Sequence, residues 1–348
     1  ILDDIGHDMR SRGINVGAVK EYIDGGDVRT AVIRDEKNRV CTLASVNELE
    51  TSSLYEAFHD IEIAAYLRQK TTGRMLVIRE LYCSNRTEMM NMIRIIMTEV
   101  LSEAAAKDIT YAIYYPLERE IDNKIKKVIV RQGFTEINIE GKPQGIYEVN
   151  MKEPIAVIEN MDTVLKAPFN TNPKILDILE KTHGDMQLAL TKLNPGNLVI
   201  SFNAGMMHRK IVDMVTKTNN VPNYTLEQRR LGEYMCVPFG KIMRGMAVPN
   251  TVTKALHTEK MFTPKLDSFT IEEYPMYSTI ANQIKTIKSF NRPVILVDDL
   301  LHKGYRIKAL DPLFKENGLE VRKIITGLLS GQGKDLMTIQ GREVESAY

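Results

Sequence analysis

Residues 293–306 read PVILVDDLLHKGYR, and this stretch decides the fold of the C-terminal half. The four apolar residues Val294 to Val297 indicate a buried strand, because strands covered on both faces read as continuous apolar runs. Asp298 and Asp299 follow at its carboxyl end, and a turn that contains Gly304 then predicts the start of a helix. In open α/β sheets, ligands bind in the crevice beyond the carboxyl ends of the strands. The stretch therefore predicts a parallel sheet with a ligand site directly after this strand.

The residue types of this turn predict a phosphate site. A turn into a helix N-terminus presents backbone N–H groups and the positive end of the helix dipole. Basic side chains add donors for phosphate oxygens. The predicted phosphate-binding residues are His302, Lys303, Gly304, Tyr305 and Arg306. Two adjacent carboxylates can accept hydrogen bonds from neighbouring hydroxyls, as on a ribose. The alternative is a plain strand end with solvated acids and a capping aspartate.

The stretch resembles the phosphoribosyl-pyrophosphate signature of type I phosphoribosyltransferases. That signature is an apolar strand, two acids, two apolar residues, a short Thr/Ser-Gly turn and a further Thr or Ser. Lys303 and Arg306 stand where the signature has hydroxyl residues. The resemblance implies that Asp298 and Asp299 are the catalytic residues, holding the ribose hydroxyls directly or through water on Mg²⁺. It also implies that the loop 302–306 holds the 5-phosphate.

Two upstream segments extend this resemblance. Residues 196–210 read GNLVISFNAGMMHRK, and the resemblance implies that the turn after their strand contacts pyrophosphate. The residues in that turn are Asn203, Ala204 and Gly205. A plain strand-to-helix turn is an equal alternative. The family also covers its site with a mobile loop, for which 238–262 is the candidate segment. Its candidate anion contacts are Lys241, Arg244, Lys254, His257 and Lys260.

Residues 327–334, GLLSGQGK, look like a nucleotide-binding P-loop but do not fit its spacing. Five residues rather than four separate Gly327 from the Gly-Lys pair, and Asp335 replaces the hydroxyl residue. The segment is therefore predicted to be a loop after a strand, at the rim of the ligand site.

The N-terminal half has a different pattern. The pattern of 29–151 predicts the order strand, strand, helix, strand, long helix, strand, helix, strand, strand. This order resembles the GCN5-related N-acetyltransferase (GNAT) fold, and Arg131 to Phe134 look like its Gly-Phe junction. The resemblance implies acetyl-CoA as a cofactor. Residues 82–92 lack the glycines of the family's pyrophosphate turn, and Ile129 occupies the place of its tyrosine acid. Tyr114 or Tyr115 could substitute. We favour a degenerate domain, used for binding or assembly, over a working acetyltransferase.

The bulk properties set further limits. A length of 348 residues suggests two domains, and the prolines of 152–173 place their limit between 152 and 153. The net charge of +1 argues against a surface that coats nucleic acid. No apolar run approaches the length of a membrane span, and no signal peptide opens the sequence. Three scattered cysteines favour a reducing, cytoplasmic setting. Because Ile1 opens the sequence, we expect a piece of a longer chain with other domains.

We therefore expect an α/β protein in which a GNAT-like mixed α/β domain (1–152) precedes a doubly wound parallel-sheet phosphoribosyltransferase-like domain (153–348). The expected function is binding of phosphoribosyl pyrophosphate or a related ribose phosphate, with transfer of the phosphoribosyl group and release of pyrophosphate. A non-catalytic sensor of nucleotides or phosphoribosyl compounds is one alternative, and an N-acetyltransferase is another. The expected partner is a small phosphorylated sugar or nucleotide, not a membrane or a nucleic acid.

Overall fold

The computed structural model describes residues 1–117, 121–142, 144–223, 231–240 and 243–348. It divides the chain into two compact units, residues 1–202 and residues 203–348. The limit predicted between 152 and 153 lies inside the strand Ile146–Glu159. That strand pairs with two antiparallel neighbours up to Asn150 and also with a further strand, and it continues past Pro154 to Glu159.

Unit 1 alternates helices with strands. Its helices are α1 (Leu2–Ser11), α2 (Val16–Ile23), α3 (Leu54–Phe58), α4 (Ile61–Lys70), α5 (Met89–Ala106), α6 (Asn123–Arg131), α7 (Met161–Val164) and α8 (Pro173–Leu193). Its strands are β1 (Val28–Arg34), β2 (Val40–Glu50), β3 (Arg74–Cys83), β4 (Tyr111–Tyr114), β5 (Thr135–Ile137), β6 (Ile146–Glu159) and β7 (Asn197–Asn203). The structure agrees with the predicted order of elements over 29–151.

The strands of unit 1 form one mixed sheet. Their order is β1-β2-β3-β4-β6-β5, with β7 beside β6. The β3–β4 pair is parallel, whereas β1–β2, β2–β3, β4–β6 and β5–β6 are antiparallel. Apolar side chains of α3 and α4 pack on one face around Met75, Val77 and Ile113.

One predicted helix of unit 1 is divided. The pattern of 53–70 predicts a continuous helix, but the structure ends α3 at Phe58 and begins α4 at Ile61. His59 has a left-handed backbone (φ 50°), and the carboxylate of Asp60 accepts a hydrogen bond from Ile63 N at 3.1 Å. A capping aspartate starts a new helix, so the apolar spacing alone could not show the break.

Unit 2 contains the sequence stretch that predicted a ligand site. Its helices are α9 (Ala204–Thr218), α10 (Ile280–Lys288), α11 (Tyr305–Glu316) and α12 (Gly331–Ile339). Its strands are β8 (Met235–Pro238), β9 (Thr258–Phe262), β10 (Phe269–Glu273), β11 (Val294–Leu301), β12 (Val321–Leu329) and β13 (Val344–Ser346). The strands β9 and β10 form an antiparallel ribbon of their own.

The other strands of unit 2 form a parallel sheet in the order β13-β12-β11-β8. Residues of α10, α11 and α12 cover one face, around Leu296 and Ile324. Gly327 lies three residues after Ile324 and so faces the opposite side, where it contacts Met207 of α9. Helices therefore cover both faces of this sheet, which is parallel as predicted. The strand β7, which belongs to the predicted domain 153–348, lies in the sheet of unit 1 instead.

The segment 327–334 differs from the predicted loop. Strand β12 continues to Leu329, and α12 begins at Gly331, with Ser330 accepting a hydrogen bond from Gly333 N at 3.1 Å. Ser330 is a favourable N-cap residue. Of the glycines that resemble a P-loop, Gly327 thus lies in β12, whereas Gly331 and Gly333 belong to a capped helix start.

Candidate functional site

A cleft of about 290 Å³ lies at the carboxyl end of β11. Residues 298–307 line it along one continuous segment, and Lys260 of β9 contributes from the ribbon. The predicted residues Asp298, Asp299 and 302–306 are therefore brought together in one concave site. Since the segment passes from strand to turn to helix, the cleft contains both carboxylates and a helix N-terminus.

Asp298 lies within the strand and is almost completely buried, at 4% exposure. Its Oδ1 accepts hydrogen bonds from Arg306 Nη1 at 2.8 Å and from Asp299 N at 2.9 Å. Burial raises the pKa of Asp298 to about 7, while the Arg306 guanidinium lowers it and Asp299 raises it further. The cost of desolvating the carboxylate thus exceeds the gain from its ion pair.

Asp299 occupies a different environment from its neighbour. Consecutive side chains of a strand point to opposite faces, and β11 continues past both acids to Leu301. Asp299 lies against Gly240, where a β-carbon would stand 1.7 Å from Asp299 Oδ1. The two carboxylates therefore diverge, one towards α11 and the other towards the backbone that follows β8.

Arg306 joins the helix to the floor of the cleft. In addition to its hydrogen bond to Asp298, Arg306 Nη1 donates to the carbonyl oxygen of Phe239 at 3.4 Å. The guanidinium also lies 5.6 Å from the ring centre of Phe239. Its Nε is buried and has no hydrogen-bond partner among the residues that the structure describes. A buried donor without an acceptor is rare in a folded protein, so Arg306 has capacity for one more acceptor at this site.

The N-terminus of α11 opens into the cleft without a side-chain cap. Gly304 is the N-cap residue and has a left-handed backbone (φ 61°), which favours glycine. Gly304 has no side chain that could accept a hydrogen bond from the first turn. The first amides of a helix have no partner within the helix, and the dipole makes this end positive. These amides are suited to an anion.

His302, which lines the cleft, is hydrogen-bonded to Ser330 at the start of α12. The Nδ1 of His302 is 2.9 Å from Ser330 Oγ, and that hydroxyl also donates to the carbonyl oxygen of His302 at 3.0 Å. Because Ser330 also caps α12, the starts of two helices are tied to the same turn. Lys303 is exposed beside them.

An aromatic cluster lies on the ribbon side of the cleft. The ring of Tyr305 meets Phe269 edge to face, with 5.3 Å between ring centres, and Phe262 lies 5.5 Å from Phe269. The Lys260 ammonium lies 5.0 Å from the Phe269 ring centre. The ribbon thus presents one cation to the cleft, and its Phe269 packs against the exposed Tyr305 of α11.

Other predicted contacts lie outside the lining of this cleft. Asn203 caps α9 through a hydrogen bond from Met206 N to its Oδ1 at 2.9 Å, and Ala204 and Gly205 form the first turn of that helix. Lys254 is exposed. The His257 ring stacks on Tyr277 at 3.9 Å. Lys241 and the side chain of Arg244 are outside the described residues.

Sequence reasoning missed the residues that surround the acids with backbone. A β-carbon at Gly240 would meet Asp299, and one at Gly327 would lie 2.6 Å from the Asp299 carbonyl oxygen. One at Gly333 would lie 2.3 Å from the Leu301 carbonyl oxygen. The glycines themselves are visible in the sequence, but the residues that they approach are distant along the chain.

The residues of unit 1 that the GNAT resemblance associates with acetyl-CoA have other partners in the structure. Before α5, the side chain of Asn85 accepts hydrogen bonds from Thr87 N and Glu88 N, both at 3.1 Å. It occupies two amides that would otherwise be available to a phosphate. Ile129 and Tyr114 are buried in the core, and burial raises the pKa of Tyr114 well above its ordinary value. Tyr115 lies against Arg79, 4.7 Å from its guanidinium.

The described residues hold no cluster of three or more His, Cys, Asp or Glu side chains that could bind a metal by themselves. Of the two acids, Asp299 fits Mg²⁺ because it lines the cleft and this ion is usually held by one or two carboxylates together with substrate oxygens and water, whereas Asp298 is buried and paired with Arg306. No helix in the described part of the chain is long and apolar enough to cross a membrane.

No protein-family model matches this chain, and no curated protein is significantly similar to it. Solved structures with partial similarity include GCN5 of Tetrahymena, which is 12% identical and covers 41% of this chain and 80% of its own (TM-score 0.28). NAA60 of Arabidopsis thaliana in complex with acetyl-CoA is 13% identical, and the similarity covers 42% of this chain and 91% of NAA60 (TM-score 0.28). Adenine phosphoribosyltransferase of Thermoanaerobacter pseudethanolicus is 17% identical, and the similarity covers 40% of this chain and 78% of that enzyme (TM-score 0.22). At these values the neighbours identify no family, so function is inferred from the residues of the site.

Proposed function

We propose that unit 2 binds phosphoribosyl pyrophosphate or a related ribose phosphate and transfers the phosphoribosyl group with release of pyrophosphate. One observation carries this proposal: a single cleft combines two carboxylates at the end of a parallel strand with the uncapped N-terminus of the helix that follows. Phosphate needs donors and positive charge, and ribose hydroxyls need acceptors. The cleft supplies both sets from one segment.

The 5-phosphate would bind at the start of α11. The amides from Gly304 onward and the helix dipole favour an anion there. Arg306 Nε is a buried donor without a partner in the described chain, and Lys260 adds charge from the ribbon. Lys303 and Arg306 replace the hydroxyl residues of the resembled signature, and a cation is at least as good a partner for phosphate as a hydroxyl.

The ribose hydroxyls would bind at the acids, with unequal roles. Asp298 is buried and paired with Arg306, so it fixes the position of the guanidinium. Asp299 lies outside that pair and lines the cleft, which favours it as the hydroxyl acceptor. Mg²⁺, when bound, would neutralise charge on the pyrophosphate. The chain itself would contribute orientation and fixed charges, which are major sources of catalysis in transfer reactions.

The pyrophosphate contact of Asn203, Ala204 and Gly205 remains part of the proposal. The first turn of α9 contains these residues, and Met207 of the same helix packs on Gly327 beside the Asp299 backbone. This neighbourhood supports a role for the α9 N-terminus as the leaving group departs.

A non-catalytic sensor is the second candidate for this cleft. The observation that favours it is the ion pair between Arg306 and Asp298, because it engages one of the two acids that the resembled signature uses. Both candidates predict binding. Only the transferase predicts consumption of the ligand.

An acetyltransferase in unit 1 is a separate candidate, supported by the strand order and the parallel β3–β4 pair. The Asn85 side chain on the two amides before α5 weighs against it. Titration of acetyl-CoA into the full chain tests this candidate independently of unit 2.

The decisive experiment is calorimetric titration of phosphoribosyl pyrophosphate with Mg²⁺ into the full chain. We expect saturable binding that weakens at least about tenfold, or 1.4 kcal/mol, in Asp299→Asn. Asp311→Asn is the matched control, because Asp311 is on α11 but pairs with Arg342 at 2.5 Å and does not line the cleft. Wild-type protein that is folded and does not bind would refute both transferase and sensor. Binding without pyrophosphate release, across a panel of nucleobases, would leave the sensor.

A further inference from the structure

Arg79 of unit 1 has an unusual environment for a charged side chain. It lies on β3, half buried, with its guanidinium 4.7 Å from the ring centre of Tyr115, 5.5 Å from that of Tyr22 and 5.9 Å from that of Phe58. These rings come from three separate parts of the unit, namely α2, the end of α3 and the residue after β4. We call Arg79 and these rings the aromatic box.

The charge of Arg79 is not neutralised within the described part of the chain. Its Nε is buried without a hydrogen-bond partner. Burial lowers the pKa of its guanidinium, and the groups that oppose this are the Tyr22 and Tyr115 hydroxyls, not a carboxylate. Arginine remains protonated even so. Rings attract a cation through their faces, but they do not accept its N–H bonds in the way that an oxygen does.

The aromatic box is held in place by its surroundings. Tyr115 N donates to the carbonyl oxygen of Ile78 at 2.9 Å, and Leu117 N donates to that of Arg79 at 3.0 Å. Phe58 and Tyr115 are packed edge to face at 5.6 Å. The hydroxyl of Tyr22 is hydrogen-bonded to Asn47 of β2. The rings are therefore fixed by contacts that do not involve the guanidinium, as expected of a preformed site.

We propose that the aromatic box binds a small carboxylic acid with an aromatic or apolar body. The planar fork of arginine matches a carboxylate, which could satisfy the Nε donor that the described part of the chain leaves unpaired. The rings would pack against the body of the ligand and exclude water, which strengthens the charge pair. A single arginine supplies one positive charge, which balances a monoanion better than a phosphate dianion. This site is in unit 1 and does not rest on the function proposed for unit 2.

The probe for this site is 4-fluorobenzoate, titrated into the full chain and followed by fluorine NMR, with 4-fluorobenzamide as its uncharged counterpart. We expect saturable binding of the acid and at least about tenfold weaker binding of the amide. Arg79→Met should lose the acid, and Arg79→Lys, which keeps the charge but not the fork, should bind it weakly. Arg74→Met is the matched control, because Arg74 is on the same strand and pairs with Glu48 at 2.6 Å.

Absence of saturable binding to the wild type, or equal binding to Arg79→Met, would overturn the proposal. Inorganic phosphate that displaces the probe more effectively than unlabelled benzoate would overturn the assignment to a carboxylic acid.

Thermal unfolding adds a readout that needs no ligand. If Arg79 is kept for a ligand, Arg79→Met should unfold at the same or a higher temperature, because it removes an uncompensated charge. A lower unfolding temperature would show that the guanidinium serves only to pack the rings.

Discussion

The buried carboxyl of Asp298 should make the stability of the protein depend on pH. Burial raises its pKa to about 7 against the opposing effect of Arg306, whereas an aspartate in the unfolded chain has a pKa of about 3.9. The folded state therefore binds a proton more tightly than the unfolded state, so stability is highest below the unfolded pKa and falls as pH rises towards the folded one. A difference of about three pKa units at 1.36 kcal/mol each corresponds to about 4 kcal/mol.

Asp298→Asn should remove this dependence. The amide carries no charge at any pH, yet its oxygen can still accept the hydrogen bonds from Asp299 N and Arg306. Relative to the wild type, the variant should gain about 4 kcal/mol in free energy of unfolding between about pH 4 and about pH 8. Urea unfolding of both full chains, at closely spaced pH values, measures the difference. Titrating groups remote from Asp298 cancel because they are common to both proteins, whereas Asp299 interacts with Asp298 and contributes to the difference.

Asp267→Asn provides a control of opposite sign. The hydroxyls of Thr263 and Ser268 lower the pKa of Asp267, so the wild type should gain on this variant as pH rises through the acid range. The reasoning about Asp298 would be refuted by a constant difference between Asp298→Asn and the wild type across the pH range. It would also be refuted if the wild type became the more stable of the two as pH rises, because Arg306 would then outweigh burial.

Further changes test neighbouring parts of the structure. Gly240→Ala should cost about 1–3 kcal/mol in urea unfolding, since its β-carbon would stand 1.7 Å from Asp299 Oδ1, and unchanged stability would contradict that close approach. Ser330→Ala should cost about 1 kcal/mol through loss of the α12 cap, with Ser330→Gly costing less by the same measurement. Asn85→Ala should strengthen calorimetric binding of acetyl-CoA if unit 1 binds it, because two backbone amides are released, and no binding by either protein would argue against that cofactor.

The elements of the fold were largely predictable because each has a local cause. The apolar run before Asp298 predicts a buried strand, and the Gly304 turn predicts a helix start, both of which the structure contains. The division at His59 and the helix from Gly331 were not predicted. Each depends on a single capping side chain, which spacing of apolar residues does not reveal. The boundary between the units was also not predictable, because β7 pairs with β6 although the stretch of chain that contains α7 and α8 separates the two strands.

The candidate site was predictable only along its own segment. The motif places Asp298, Asp299 and Arg306 close together because they are neighbours in the chain. The ion pair of Arg306 with Asp298 was not anticipated, since the resemblance assigned both residues to the ligand. The contribution of Lys260 also depends on how the ribbon folds. Side-chain pairs and contacts between residues distant in sequence arise only in the tertiary structure, and a single sequence contains no local signal for them.

The glycines around the acids have a consequence for how this protein should be mapped experimentally. Alanine scanning measures what is lost when a side chain is shortened, so it is blind to positions whose contribution is the absence of one. At Gly327 and Gly333, a single added carbon would strike the carbonyl oxygens of Asp299 and Leu301. A scan that adds methyl groups would trace the outline of the cleft, whereas one that removes side chains would leave that outline unseen.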